Sequence, residues 1–503
     1  MFKLCATLKP KKLNQPLFQN RNLIIFYTMR KLTFFLIILI SNITTAQDGS
    51  IDTSFDYGSG FSAVVYDIAL QSDGKILIGG NFESYKGSLA YKILRLNTNG
   101  QNDSTFNTAG YGLTVNNPVN SVIIQNDGKI ILGGSFNFYN QTTVAKSIIR
   151  LNSNGSKDTS FNNGGSGFGQ NNQINAIALQ SDGKIITAGS LTSYNGVPLY
   201  NIANINTNGS INTTFNIGTG FGGTYNSVFD IVTQSDDKII AFGPFTTYNG
   251  TIQKSIVRIN TDGSIDSTFN TGSGFGVGTN TAIVQPDGKI IVGTTNTTYN
   301  GYSVKGIIRL NQDGSKDTTF NIGSGFSGTS IDIQSIVLQS DGKIIIGGTF
   351  DSYNGTPSKN IVRLFEDGSI DTSFNAGSGF NSMVRTIKLQ SDGKILIGGN
   401  FTLYNNTVAN RIIRLNNPSL EQYILATDEF NINSFKLYPN PTKDILKIQG
   451  TSIKNITITN ITGKIVVISK INEINISHLQ NGIYFVKIEN EGGKIFIEKV
   501  IKN

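Results

Sequence analysis

Seven tyrosines, Tyr85, Tyr139, Tyr194, Tyr248, Tyr299, Tyr353 and Tyr404, recur along the chain, and all but Tyr85 are followed by Asn. Aromatic faces offer apolar area with a polar handle, and side-chain amides both donate and accept. A circle of such pairs at one rim has the chemistry of a saccharide site. A residue required in every copy of a unit more often packs between copies than meets a ligand. Packing is therefore the first expectation for these tyrosines and ligand binding the second.

Two further patterns invite a chemical reading. Oxygen-bearing side chains at alternate positions, as in Asn260, Asp262, Ser264 and Asp266, resemble a calcium loop. Yet Asn99, Asn154 and Asn208 replace the second member in three copies, and Phe365 takes the first position in another. Turn chemistry, which Asn and Asp serve equally, explains these exchanges better, and no metal ligands are assigned. Stretches such as Gly272-Ser273-Gly274-Phe275 look like phosphate loops, but no helix follows to present its N-terminus.

Catalytic sets are scarce. The sole cysteine is Cys5 and the sole histidine is His478, so the long middle region holds no thiol nucleophile, no Cys/His zinc site and no Ser-His-Asp triad. Almost every aspartate in the repeats falls in a turn, and none stands out as unique to one copy. The expectation is a protein that is not an enzyme and needs no cofactor. The net charge of +8 is uneven: residues 1–46 carry seven Lys/Arg and no acid, whereas residues 47–430 hold 24 basic and 28 acidic side chains. The middle region lacks the basic footprint of a nucleic-acid binder.

The elements that would position any site come from repetition. LQSDGKILIGGNF is spelled at residues 70–82 and again at 389–401. The DGK turn opens at Asp73, Asp127, Asp182, Asp236 (as DDK), Asp287, Asp341 and Asp392. In parallel run an Asp-x-x-Phe marker, with Asn212 in place of Asp in one copy, and an Arg-Leu-Asn strand end, with Asn204 in place of Arg in one copy. Asp-Gly and Asn-Gly between apolar runs are strong hairpin signals. Each unit parses into about four strands, with a polar loop such as FYNQTT between the second and third. The second strand is a continuous apolar run and should be buried on both faces. Four antiparallel strands per unit describe the blade of a β-propeller.

The first DTSF, at Asp52, precedes the first DGK, and the last unit ends at Arg414-Leu415-Asn416 with no DTSF after it. Seven complete blades exist only if the N-terminal segment completes the seventh, which leaves no open edge. Blades one and seven would then be neighbours. The pattern LQSDGKILIGGNF…RLN-x-DGS-x-DTSFN resembles the delta-60 repeat of exported bacterial β-propellers, which implies a fold and no settled activity.

Both ends read as addresses. Arg30 and Lys31, the apolar run Leu32 to Ile40, and Thr44-Thr45-Ala46 make a signal peptide over 29–46, cleaved between Ala46 and Gln47. The apolar run is about half the ~20 residues that a spanning helix needs, so no transmembrane anchor is expected in the mature chain. Residues 1–28 read as a mis-assigned upstream extension. After the propeller (47–417) and a linker (418–433), residues 434–503 alternate apolar positions with turns, as a small Ig-like β-sandwich would. Tyr438, Pro439, Asn440, Pro441, Gly482, Tyr484 and Lys499 resemble the type A C-terminal sorting domain of the type IX secretion system. That resemblance implies the Sec translocon and the type IX machinery as partners. It also implies release or surface attachment of the cargo.

The expectation is thus an all-β, exported, seven-bladed propeller that binds at the cell surface or outside it, with polysaccharide as the ligand class. A structural or scaffold propeller is the first alternative. A polysaccharide hydrolase or lyase working in the channel is the second.

Overall fold

The computed structural model describes residues 47–418 and 436–503, apart from 109, 111, 114–117, 277, 450–452, 461–464 and 491–494. The expected extension 1–28, the leader 29–46 with Ala46, and the linker beyond Pro418 lie outside the described residues.

In the first blade Val65–Leu70 pairs antiparallel with Ile76–Gly80, which pairs antiparallel with Ile93–Leu96. The connecting turn works because Gly74 takes φ +80° and Gln71 donates to the Lys75 carbonyl at 2.9 Å. Ile76–Gly80 is buried at every residue, which is why it is a continuous apolar run. The same order of three strands recurs in all seven blades. The first strand of each blade faces a common lumen.

Two expectations need correction. The fourth strand of a blade is reduced to one rung, such as Asn102 opposite Leu96, because the Asp-x-x-Phe segment turns away after a single bridge. The polar loop of the second blade is itself a hairpin, pairing Phe138–Tyr139 with Thr142–Thr143.

Blades stack through apolar layers. Leu77 and Ile93 of the first blade share a cluster with Val119, Val122, Ile130 and Leu132 of the second. Gly79 is required at this contact, since a Cβ there would lie 2.6 Å from Val122 Cγ2 and 2.7 Å from Val119 Cγ1. Blades seven and one meet in the same way, where a Cβ on Gly398 would lie 2.6 Å from Val65 Cγ1.

The ring is closed by the N-terminal segment. Ile51 bridges Leu415, Gly49 donates to the Asn416 carbonyl at 2.9 Å, and Asn416 donates to the Ser50 carbonyl at 2.8 Å. These bonds repeat across the closure what Leu96 and Asn102 do within one blade.

The C-terminal region is a β-sandwich. One sheet contains Lys436–Tyr438, Ile445–Gln449 and Glu473–Asn475; the other contains Ile465–Ser469, Ile453–Asn460, Gly482–Asn490 and Ile495–Lys502. Leu446, Ile448 and Ile474 from the first sheet share a core with Ile456, Ile458, Val486 and Ile488 from the second. Among the described residues no helix is long and apolar enough to cross a membrane.

Candidate functional site in the propeller channel

The repeated polar residues are used up by the scaffold. Arg95 Nε lies 2.7 Å from Asp103 Oδ2, its guanidinium covers the Phe106 ring, and it reaches on to the Ser153 carbonyl of the next blade. Lys75 of the DGK turn joins the same carboxylate at 3.4 Å. Equivalent Arg–Asp pairs follow at Arg150–Asp158, Arg258–Asp266, Arg309–Asp317 and Arg363–Asp371. Arg414 makes the same pair with Asp52 across the closure. The third blade exchanges both partners: Asn204 donates to Gln180 at 2.8 Å, and Asn212 caps Thr214. A buried charge left alone is costly, so the paired exchange keeps the blade balanced.

The tyrosines take the packing role expected of them first, and the second expectation, ligand contact, is corrected. Tyr85, Tyr139, Tyr194, Tyr248, Tyr299, Tyr353 and Tyr404 are at most 2% exposed. Each hydroxyl donates to a turn carbonyl, as Tyr353 does to Gly368 at 2.7 Å and Tyr404 to Gly49 at 2.5 Å. Six of the rings lie against phenylalanines, for example Tyr353 on Phe326 with centroids 4.8 Å apart, whereas Tyr139 bridges Leu113. Burial removes the faces a sugar would need and pushes the phenols above their usual pKa. The calcium-like stretches are turns: Asp262 Oδ1 accepts from the Ser264 N–H at 2.9 Å and hydroxyl at 2.7 Å, and Asp266 is committed to Arg258.

In the C-terminal domain Asn440 clasps the last strand. Its Nδ2 donates to the Lys499 carbonyl at 2.8 Å and its Oδ1 accepts from Ile501 at 2.9 Å. Tyr484 is buried and donates to the Gln480 carbonyl at 2.8 Å, whereas Tyr438, Pro439, Pro441's neighbour Asn440 and Lys499 are exposed. Pro441 is exposed as well, and Gly482 is in extended backbone. Gln47 is exposed beside Asn375, and the adjacent Asp48 is buried against Arg363.

The symmetry breaks in the lumen. This channel, of about 790 Å³, is lined by the first strand of every blade. The residue that follows the buried Val65, Val119, Ile174, Val228, Thr279, Ile333 and Val384 is Tyr66, Asn120, Asn175, Phe229, Asn280, Gln334 and Arg385 in turn, and each of these lines the channel. Two carboxylates, Asp67 and Asp230, stand one residue further on in blades one and four, and Asp332 precedes the buried Ile333 in blade six. These acids correct the expectation that no aspartate is unique to one copy. They lie outside the turns, and aligning the first strands on the DGK turn and looking for the variable column would have found them.

Each acid is held. Asp67 accepts from its neighbour Ile68 at 2.8 Å and from Val122 of the next blade at 2.9 Å, with Lys388 Nζ at 3.5 Å. Asp332 accepts from Asn280 at 2.6 Å and Gln334 at 2.7 Å. Asp230 accepts from Ile231 at 2.8 Å. It retains some contact with the lumen while enclosed by the ring wall. Burial pushes its pKa up to about 6, only partly opposed by the Ile231 N–H, the Thr281 hydroxyl and Lys388. Arg385 donates to Asn400 at 3.0 Å and Gln334 at 3.4 Å, and its guanidinium lies 5.4 Å from the Tyr66 ring centroid. The lumen thus combines aromatic faces, amides, acceptor carboxylates and a positioned cation, a set able to hold a polyhydroxylated ligand.

Fold and ends define an export-type β-propeller carrying its own sorting module. Seven segments, 71–106, 125–161, 180–215, 234–269, 285–320, 339–374 and 390–417, match the model described as a domain of unknown function (DUF5122) beta-propeller. Residues 436–503 match the secretion system C-terminal sorting domain. The chain therefore carries DUF5122 β-propeller repeats and a type IX C-terminal sorting domain. A curated relative, an ulvan lyase of Nonlabens ulvanivorans, is 28% identical over 182 residues, which are 32% of this chain and 34% of the relative. The chain thus matches about a third of that protein's length. Among solved structures, PorZ, a surface component of the type-IX secretion system of Porphyromonas gingivalis, aligns with TM-score 0.43 and 14% identity over 92% of this chain and 61% of PorZ. The extracellular domain of a hybrid two-component system from B. thetaiotaomicron aligns with TM-score 0.47 and 12% identity over 90% of this chain and 56% of that one.

Proposed function

We propose that this is a type IX secretion cargo, secreted or held at the cell surface, whose propeller binds a polysaccharide at the channel. Cleavage between Ala46 and Gln47 after Sec export belongs to the same reading. The observation that carries it is the variation in the lumen: Tyr66, Phe229, Gln334 and Arg385 face the channel where the other three blades place Asn, each beside a buried residue that hardly changes. A scaffold ring would have no need for Tyr66, Phe229, Asp230 and Arg385 in single blades. The role is binding rather than turnover. The partial likeness to an ulvan lyase favours, as a second reading, a lyase acting in the same channel. Calorimetric titration of the purified protein with a panel of oligosaccharides tests the first reading, and the appearance of unsaturated products tests the second. Binding that survives both Tyr66→Ala and Phe229→Ala unchanged would remove the channel from consideration.

A further inference from the structure

We infer that Arg385 makes the channel selective for a saccharide bearing an anionic group, a carboxylate or a sulfate ester. This inference rests on the channel reading above. The six ladder arginines each lie 2.6–2.8 Å from an aspartate. Arg385 instead meets two neutral amide oxygens, on Asn400 and Gln334. These orient the guanidinium without neutralising it.

Gln334 also links it to Asp332 without a direct ion pair. Its Oε1 accepts from Arg385 while its Nε2 donates to Asp332 at 2.7 Å, and Asn280 holds the same Asp332 oxygen from the other side. The cation therefore stands in the channel wall, fixed in direction and, among the described residues, without a contacting carboxylate. A planar guanidinium presents paired donors that match a carboxylate or sulfate, and charge-assisted bonds of this kind are the strong ones. Tyr66, lying against Arg385, offers a ring face beside the charge.

The remaining charges give the ligand a direction. Asp67 and Asp230 are acceptors and would repel an anion but receive hydroxyl donors. Lys388, three residues along the same strand as Arg385, already has Asp67 at 3.5 Å. The arrangement places the acidic substituent at Arg385 and sugar hydroxyls toward the two carboxylates.

The test is calorimetric titration of the full chain with three probes: an oligogalacturonate, a sulfated galactan oligosaccharide and a neutral β-glucan oligosaccharide. One acidic probe should bind at least about tenfold more tightly than the neutral one, and Arg385→Gln should abolish that difference. Arg385→Lys should keep part of it. Preference between the two acidic probes identifies the anionic group. Added salt should weaken acidic binding and leave neutral binding nearly unchanged, a readout that needs no variant. Equal, salt-insensitive binding of all three probes would overturn the inference while leaving the channel reading intact. No binding by any probe would remove both.

Discussion

Arg414 Nε and Asp52 Oδ2 lie 2.6 Å apart although 362 residues separate them in the chain. The pair is the sixth member of a ladder whose other five sit eight residues apart, so the molecule treats its own closure as one more blade. Removing one partner strands a buried charge. Asp52→Ala should cost about 3–5 kcal/mol in urea or thermal unfolding. An unchanged midpoint would show that the ring does not depend on this closure.

The third blade offers the reverse experiment. Asn204→Arg alone introduces an unpaired charge, and Asn212→Asp alone an unpaired acid; both should destabilise. Together they rebuild the ladder, and the double variant should exceed the sum of the singles by about 0.5–3 kcal/mol. Additive behaviour would mean the Arg–Asp unit has no cooperative role.

Tyr353→Phe separates packing from recognition. Loss of the bond to Gly368 should cost about 0.5–1.5 kcal/mol, with glycan binding unaltered. A binding defect without a stability defect would return the tyrosine ring to the list of ligand contacts.

Two carboxyls should give pH effects of opposite sign. Burial alone would raise the Asp103 carboxyl, but bonds from Thr105 and Arg95 hold it at about 2. That is below the unfolded value of about 3.9, so its stabilisation is complete above about pH 4 and lost as pH falls toward 2. Asp230, raised to about 6, binds its proton more tightly when folded. Stability should therefore decline as pH rises from about 4 through 6. Thermal midpoints across this range should show that decline in the wild type and not in Asp230→Asn. The same slope in both proteins would place the titration elsewhere.

Asn440→Ala removes two bonds to the last strand of the sorting domain. The domain should lose about 1–3 kcal/mol and export of the full chain should fall. Normal export would detach this clasp from sorting.

Most of the architecture was legible because it is written seven times. Turns such as Ser72-Asp73-Gly74 demand particular residues, and the phase of the Asp-x-x-Phe marker gives away the closure at Ile51 and Leu415. The short hairpins and the reduced fourth strand were not legible, since two-residue strands such as Ser84–Tyr85 carry no periodicity. The repetition of the tyrosines marked them for packing first and for a ligand second, and burial decides between the two. The channel residues were missed for the converse reason. Asp230 and Arg385 belong to no motif, and a search for shared letters passes over the columns that differ.

The closing segment also sets a clock. The residues that complete blade seven are Gly49 to Phe55, among the first of the propeller to be synthesised, while their partners Arg414 to Asn416 are among its last. Contacts between distant parts of a chain form slowly, because a long loop must close before they reward it. Six blades can settle as the chain emerges, but the seam cannot zip until residue 416 is available. A growing chain therefore has an interval in which it is an open arc, and becomes a ring only on completion.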